Sequence, residues 1–182
     1  LGHRELLALA RDPLADGMAP EAEAMAATPK LHRLFCRALF TKSGASHRAE
    51  RAALIDAFNA VPIAAIVREA VAGIVPPGPA VPDLRSGLAA PLVLAIWAAI
   101  VGYETGAAAR LAAAVSTLGP FVSPTAGPGD AQRADDAAEE IRDLSLAALD
   151  ARTPFSQNLR TRVGDDLAAD LVAGMAFDAV ET

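Results

Sequence analysis

Between Arg85 and Glu104 the chain carries no charged side chain, so the stretch SGLAAPLVLAIWAAIVGY must be enclosed by protein or cross a bilayer. Its length sits at the threshold for a membrane span. Much of it is Ala, Gly and Ser, however, and Pro91 stands inside it, which favours a helix buried on every side. Such a helix needs a domain around it. A chain of 182 residues with 53% hydrophobic side chains can build one core of that kind. The formal charge of −6 and the pI near 5.0 argue against a nucleic-acid surface, which needs clustered Lys and Arg to displace counterions. Cys36 is the single cysteine, which excludes a disulfide framework, and no CxxC or paired Cys/His spacing marks zinc. With no basic-then-apolar leader at Leu1, a cytoplasmic protein is the expectation.

The remainder of the chain reads as Ala-rich helix cut by Pro and Gly. HRELLALARDP predicts a short helix closed by Pro13, and ADGMAPEAEAMAATPKL a polar connection with one helical turn in EAEAMAA. HRAERAALIDAFN and VPIAAIVREAVAGIV predict consecutive helices, and PPGPAVPDLRSG breaks the pattern with a brief extended piece at Val81 to Leu84. TGAAARLAAAVSTLG predicts an amphipathic helix, followed by a turn in PFVSPTAGPGD. DAQRADDAAEEIRDLSLAALDA has charges of both signs on one face, the pattern of a long surface helix. RTPFSQN reads as a loop into a last helix, GDDLAADLVAGMAFDAVET, which starts acidic. That helix lacks a Gly or a cation at its end, so it is expected to continue past Thr182. No internal repeat is visible.

Two clusters stand out as chemistry. His47 and Arg51 are four apart and share a helix face, with Ser46 as the expected N-cap. Donors, a cation and the positive end of a helix then converge, an arrangement that suits a carboxylate or phosphate. The plain alternative is a solvated Arg51, or one paired with Glu50 or Asp56, and an exposed His47. In the last helix, Asp178, Glu181 and Thr182 stand at i, i+3 and i+4 in an otherwise apolar segment. A carboxylate beside a hydroxyl at a cavity edge is a proton path; the alternative is a helix surfacing at its end. Cys36 sits among large apolar residues as a buried inert thiol, and His32 and His3 have no partner at ligand or triad spacing. GxGxxG, GxxxxGK[ST], HExxH and GxSxG are all missing, which removes the commonest nucleotide, zinc-protease and serine-hydrolase readings.

Four phrases, in order, resemble the amino-terminal half of a cytochrome P-450, a haem-thiolate monooxygenase of the soluble bacterial kind. LGHRELLALARDPLADG is similar to that family's early helix and the RDP after it. LFCRALFTKSGASHRAERAALIDAF resembles its loop into the C helix, VPDLRSGLAAPLVLAIWAAIVG its DL...A.PL....I...LG stretch, and LAADLVAGMAFDAVET its I helix. The resemblance covers essentially the whole chain and implies a mainly α, partial cytochrome P-450 fold, from the B to the I helices, with little strand. Residues 1–182 would form a single partial domain.

The resemblance also implies roles. His47 and Arg51 would fall on the family's HxxxR and contact the haem propionates. Asp178, Ala179, Val180, Glu181 and Thr182 fall on its (A/G)Gx(D/E)T phrase. Glu181 and Thr182 would then be the acid and alcohol that help deliver protons, and Ala179 would leave room for the oxygen ligand. Asp178 and Ala179 depart from the usual small residue and Gly, which implies a narrower, more polar groove. The ExxR motif and the cysteine loop that gives iron its axial thiolate are missing, so that ligand would lie outside this chain, Cys36 being on the wrong side of the pocket. The implied activity of the whole enzyme is insertion of one oxygen atom from dioxygen into a small organic substrate. Electrons would come from a ferredoxin- or flavodoxin-type donor, with neither nucleic acid nor membrane as partner. The loop from Asp16 to Phe40 and the turn from Pro120 to Asp130 would border the substrate entrance. The alternative is a haem-free helical binding or scaffold protein that keeps the front half of the fold.

Overall fold

Proline and glycine divide the helical periodicity into segments, and each segment buries the face on which its apolar residues recur. The computed structural model describes residues 25–74, 88–119 and 128–181. In chain order its elements are α1 (Pro29–Arg37), a 3-10 turn (Leu39–Thr41), α2 (Gly44–Asn59), α3 (Ile63–Ile74), α4 (Ala90–Val101), α5 (Thr105–Leu118), α6 (Pro128–Leu149), α7 (Pro154–Val163) and α8 (Asp165–Glu181). Among the described residues there is no strand, as a mainly α chain requires. The expected early helix before Pro13 and the extended piece at 81–84 lie outside those residues.

The core is organised around α8. Ala168, Ala169, Leu171, Val172, Ala173 and Ala176 on it are all buried, and α1, α4, α5, α6 and α7 pack against it. Small side chains let these helices approach closely. One such place is Gly174, where an added Cβ would stand 3.0 Å from the Cα of Ala38 just after α1. Facing α8, α6 turns a row inward that includes Ala134, Ala138, Ile141 and Leu149, while its charges other than buried Asp135 lie towards the outside. The expected surface helix is therefore a surface helix on one side and a wall of the core on the other.

Three expectations are corrected by packing. The uncharged run is helical, but only Trp97, Ile100 and Val101 of α4 are buried, and Val93 is 40% exposed. The reason is position: α3, α5, α7 and α8 pack on α4, and these contacts enclose Trp97, Ile100 and Val101 while leaving Val93 exposed. No single described helix is long and apolar enough to cross a membrane, although α2 and α3, bent by 68°, pass that test together. Second, RTPFSQN is not a loop. Thr153 caps α7 by accepting from the Ser156 amide at 3.1 Å, Pro154 fits the first turn, and Phe155 is fully buried against Phe58 and Trp97. Third, the expected loop at 16–40 contains α1, and 128–130, expected as turn, form the first turn of α6.

Long-range polar contacts lock the helices in register. Asp135 on α6 is 4% exposed and accepts from the amides of Lys30 and Leu31 at 2.8 and 2.9 Å, so a side chain from a distant helix caps α1. Gly102 ends α4 at φ +107, where an added Cβ would stand 2.6 Å from that of Ala151.

Candidate functional site

α2 begins at Gly44, with Ser43 as the capping residue in extended conformation, so Ser46 is not the N-cap. Ser46 lies inside the first turn and donates to Glu50 Oε1 at 2.8 Å, and Glu50, 7% exposed, also takes Lys42 Nζ. The helix thus starts three residues before the expected point, because the Ser46 hydroxyl is committed to a buried ion pair rather than to free amides. His47 moves to the end of the first turn and Arg51 to the following one, so the dipole acts on them less.

The two carboxylates that offered Arg51 an ordinary partner are both taken. Glu50 holds Lys42 and Ser46, and Asp56 pairs with Arg162 Nη2 at 2.9 Å across to α7. Elsewhere arginines find acids: Arg33, Arg142 and Arg160 each meet one or more. Arg51 is exposed, His47 half-buried, and among the described residues neither makes an ion pair or a side-chain hydrogen bond. The first turn of α2 contains no acid. A half-buried imidazole and an exposed guanidinium one turn apart thus form a two-donor face with no anion of its own among the described residues.

The second cluster is placed only by its backbone. Ala179 and Glu181 fall on the last turn of α8, and Thr182 lies outside the described residues. α2 does not carry His47 and Arg51 onto α8 directly; it packs on α7, and α7 on α8. A groove of about 520 Å³ opens between the three helices, lined by Ala49, Ala53, Arg162, Val163 and Leu167 among others. It lies at the start of α8, away from Glu181, and neither His47 nor Arg51 lines it.

Cys36 is half-buried rather than buried, and its Sγ lies 3.2 Å from His32 Nε2, one turn earlier on α1. His32 therefore has a partner that ligand and triad spacings did not anticipate. No group of three or more metal-ligating side chains occurs among the described residues.

Two buried polar centres escape sequence reasoning. Asp170, 3% exposed, accepts from Arg33 Nη2 at 3.0 Å and from Arg142 Nε at 2.9 Å, tying α1 and α6 to α8. Beside it, exposed Asp166 is held below the usual carboxylate range, first by its hydrogen bond from Arg33 and then by the charges of Arg33, Arg142 and Arg37. Tyr103 donates to Ser145 Oγ at 2.6 Å, and the Ser145 hydroxyl in turn donates to the Ile141 carbonyl at 2.7 Å. Burial pushes the Tyr103 phenol well above its ordinary value; Ser145 and the neighbouring Trp97 indole oppose the shift only in part. Trp97 Nε1 is itself buried without a hydrogen-bond partner among the described residues. Acids and hydroxyls scattered over separate helices give no spacing signal, so nothing in the sequence marks these centres.

No protein-family model matches the chain, and no curated protein matches it.

Proposed function

We propose that the chain is the front half of a haem-thiolate monooxygenase of the cytochrome P-450 kind, with His47 and Arg51 as donors to the haem carboxylates. The observation that carries the reading is the state of that pair: two donors one turn apart on α2, while the nearby acids Glu50 and Asp56 are engaged elsewhere. Bound haem would supply the oxidising chemistry, inserting one oxygen atom from dioxygen into a small organic substrate with electrons from a ferredoxin- or flavodoxin-type donor. The part left to these residues is orientation and proton supply. Arg51 offers a planar fork to one carboxylate and His47 a second donor. By the resemblance, Glu181 and Thr182 would be the acid and alcohol pair, and Ala179 the small residue beside them. Cys36 has no share in iron ligation in this reading, since it precedes α2 and its sulfur faces His32.

The test begins with the coding DNA after Thr182. The expected frame continues through an ExxR segment to a glycine-rich cysteine loop; an immediate stop codon overturns the reading. In the full-length protein, Arg51→Ala is expected to lower haem retention roughly tenfold, the loss of a charge-assisted bond. Unchanged haem content on purification would count against the propionate role. Thr182→Ala is expected to divert reducing equivalents to peroxide, and full coupling in that variant refutes the acid and alcohol pair.

A second reading, a haem-free helical scaffold, is favoured by a different observation. The described helices close a core with their own ion pairs, Lys42 with Glu50 and Arg33 and Arg142 with Asp170. It predicts a cooperatively folded 182-residue chain in which Arg51→Ala changes nothing measurable.

A further inference from the structure

Lys42 and Glu50 form an ion pair largely shut off from water, their side chains 12% and 9% exposed. Each oxygen of the Glu50 carboxylate holds one donor: Lys42 Nζ on Oε2, and Ser46 Oγ on Oε1 at 2.8 Å. Lys42 stands two residues ahead of α2, so the pair ties the approach to the helix to its second turn.

Glu50 also sits between the two donors of the candidate site, three residues after His47 and one before Arg51. Helix positions three apart are neighbours and adjacent positions are not, which puts the imidazole within reach of this carboxylate and leaves the guanidinium outside it. A buried carboxylate deprived of its counter-ion is costly and takes whatever donor can turn to it. Two could replace Lys42. One is His47, which makes no ion pair or side-chain hydrogen bond among the described residues. The other is Arg162, which lines the same groove as Glu50 but pairs with Asp56 at 2.9 Å.

We propose that Lys42 is a positioning residue for the donor pair: by occupying Glu50 it keeps the His47 imidazole free for the carboxylate of a ligand. Where haem is that ligand, this rests on the monooxygenase reading; the freedom of the imidazole does not. The two halves of the ion pair are unequal in this respect. Without Lys42, Glu50 keeps its charge and closes on His47. Without the Glu50 charge, Lys42 has no claim on either donor. Both losses break the same contact, so a purely structural role predicts the same effect from each.

The experiment treats the haem-free 182-residue chain with diethyl pyrocarbonate, which acylates a free imidazole nitrogen, and reads the rate at His47 by peptide mass spectrometry. Circular dichroism checks the fold of every variant. Lys42→Met is expected to slow His47 about fivefold or more, as its ring nitrogen becomes engaged. Lys42→Arg, and Lys42→Met combined with Glu50→Gln, are expected to stay within about twofold of the parent rate. If Lys42→Met does not fold, Lys42→Gln replaces it, with a slowing of at least about twofold expected because it keeps a neutral donor against Glu50. Equal slowing by Lys42→Met and by Glu50→Gln alone overturns the proposal, since a structural role gives that result. An unchanged rate in Lys42→Met overturns it as well, because Arg162 has then taken Glu50. Haem retention in the full-length protein separates this claim from the haem reading. Loss with Arg51→Ala but none with Lys42→Met overturns the positioning role alone, and loss with both supports it. No loss with Arg51→Ala overturns the haem reading, and the reactivity of His47 then decides the role of Lys42.

Discussion

Asp170 shows how much a single buried carboxylate can bind together. Its partners are only partly shielded, with the Arg33 side chain 41% and that of Arg142 22% exposed, so the loss on removal falls below that of a fully buried pair. Asp170→Ala is expected to destabilise the fold by about 2 kcal/mol, read as a lower urea midpoint at unchanged slope. Tyr103 offers a second reading at the same scale, because it is the only tyrosine in the chain. Its phenol is raised in the folded state, so the stability it contributes is complete below the ordinary phenol value, about pH 10, and is lost as pH climbs towards the folded value. Ultraviolet titration is expected to show no phenolate until the circular dichroism of the helices also falls. A phenolate that forms near pH 10 with the helices intact would contradict the burial of this group. Tyr103→Phe is expected to remove this alkaline contribution.

At the level of helices, ends matter more than middles. Asp135 serves α1 from α6, so Asp135→Ala is expected to cost about 1 kcal/mol, while Asp135→Asn, which keeps an acceptor oxygen, costs less. Thermal unfolding of the two variants separates the cap from any effect of charge. The middles of the helices were legible in the sequence: α2, α3, α5, α6 and α8 all follow apolar periodicity that the chain displays openly. α7 was not, although Thr153 and Pro154 form a start signal, because PFSQNLRTRV has too few apolar residues to announce a face. Its burial rests on Phe155 and Leu159, and Phe155 meets Phe58 and Trp97 from other helices. The start of α2 was misplaced for a related reason. Ser43 and Ser46 are equally good caps on paper, and only the buried Lys42 and Glu50 pair decides between them. Of the candidate site, the shared flank of His47 and Arg51 could be read from spacing, but the diversion of Asp56 to Arg162 could not, since it joins residues far apart in sequence.

Across the whole molecule, the helical class follows from composition and periodicity, whereas the arrangement follows from small residues that allow close approach. Gly174 against Ala38 is one such place, and Gly102 against Ala151 another. Gly102→Ala combines a left-handed backbone with an overlap and is expected to cost more than about 1 kcal/mol, measured by urea unfolding. Position in the sequence and position in space run opposite ways: α8 is the last of these helices, and five others rest on it. On the ribosome, the five helices that rest on α8 therefore emerge with that part of their inner faces bare until residues after Asp165 leave the exit tunnel. A nascent chain stopped at Val163 is expected to remain open to protease at the faces of α1, α4, α5, α6 and α7 that α8 would cover, and one a helix longer is expected to close them together.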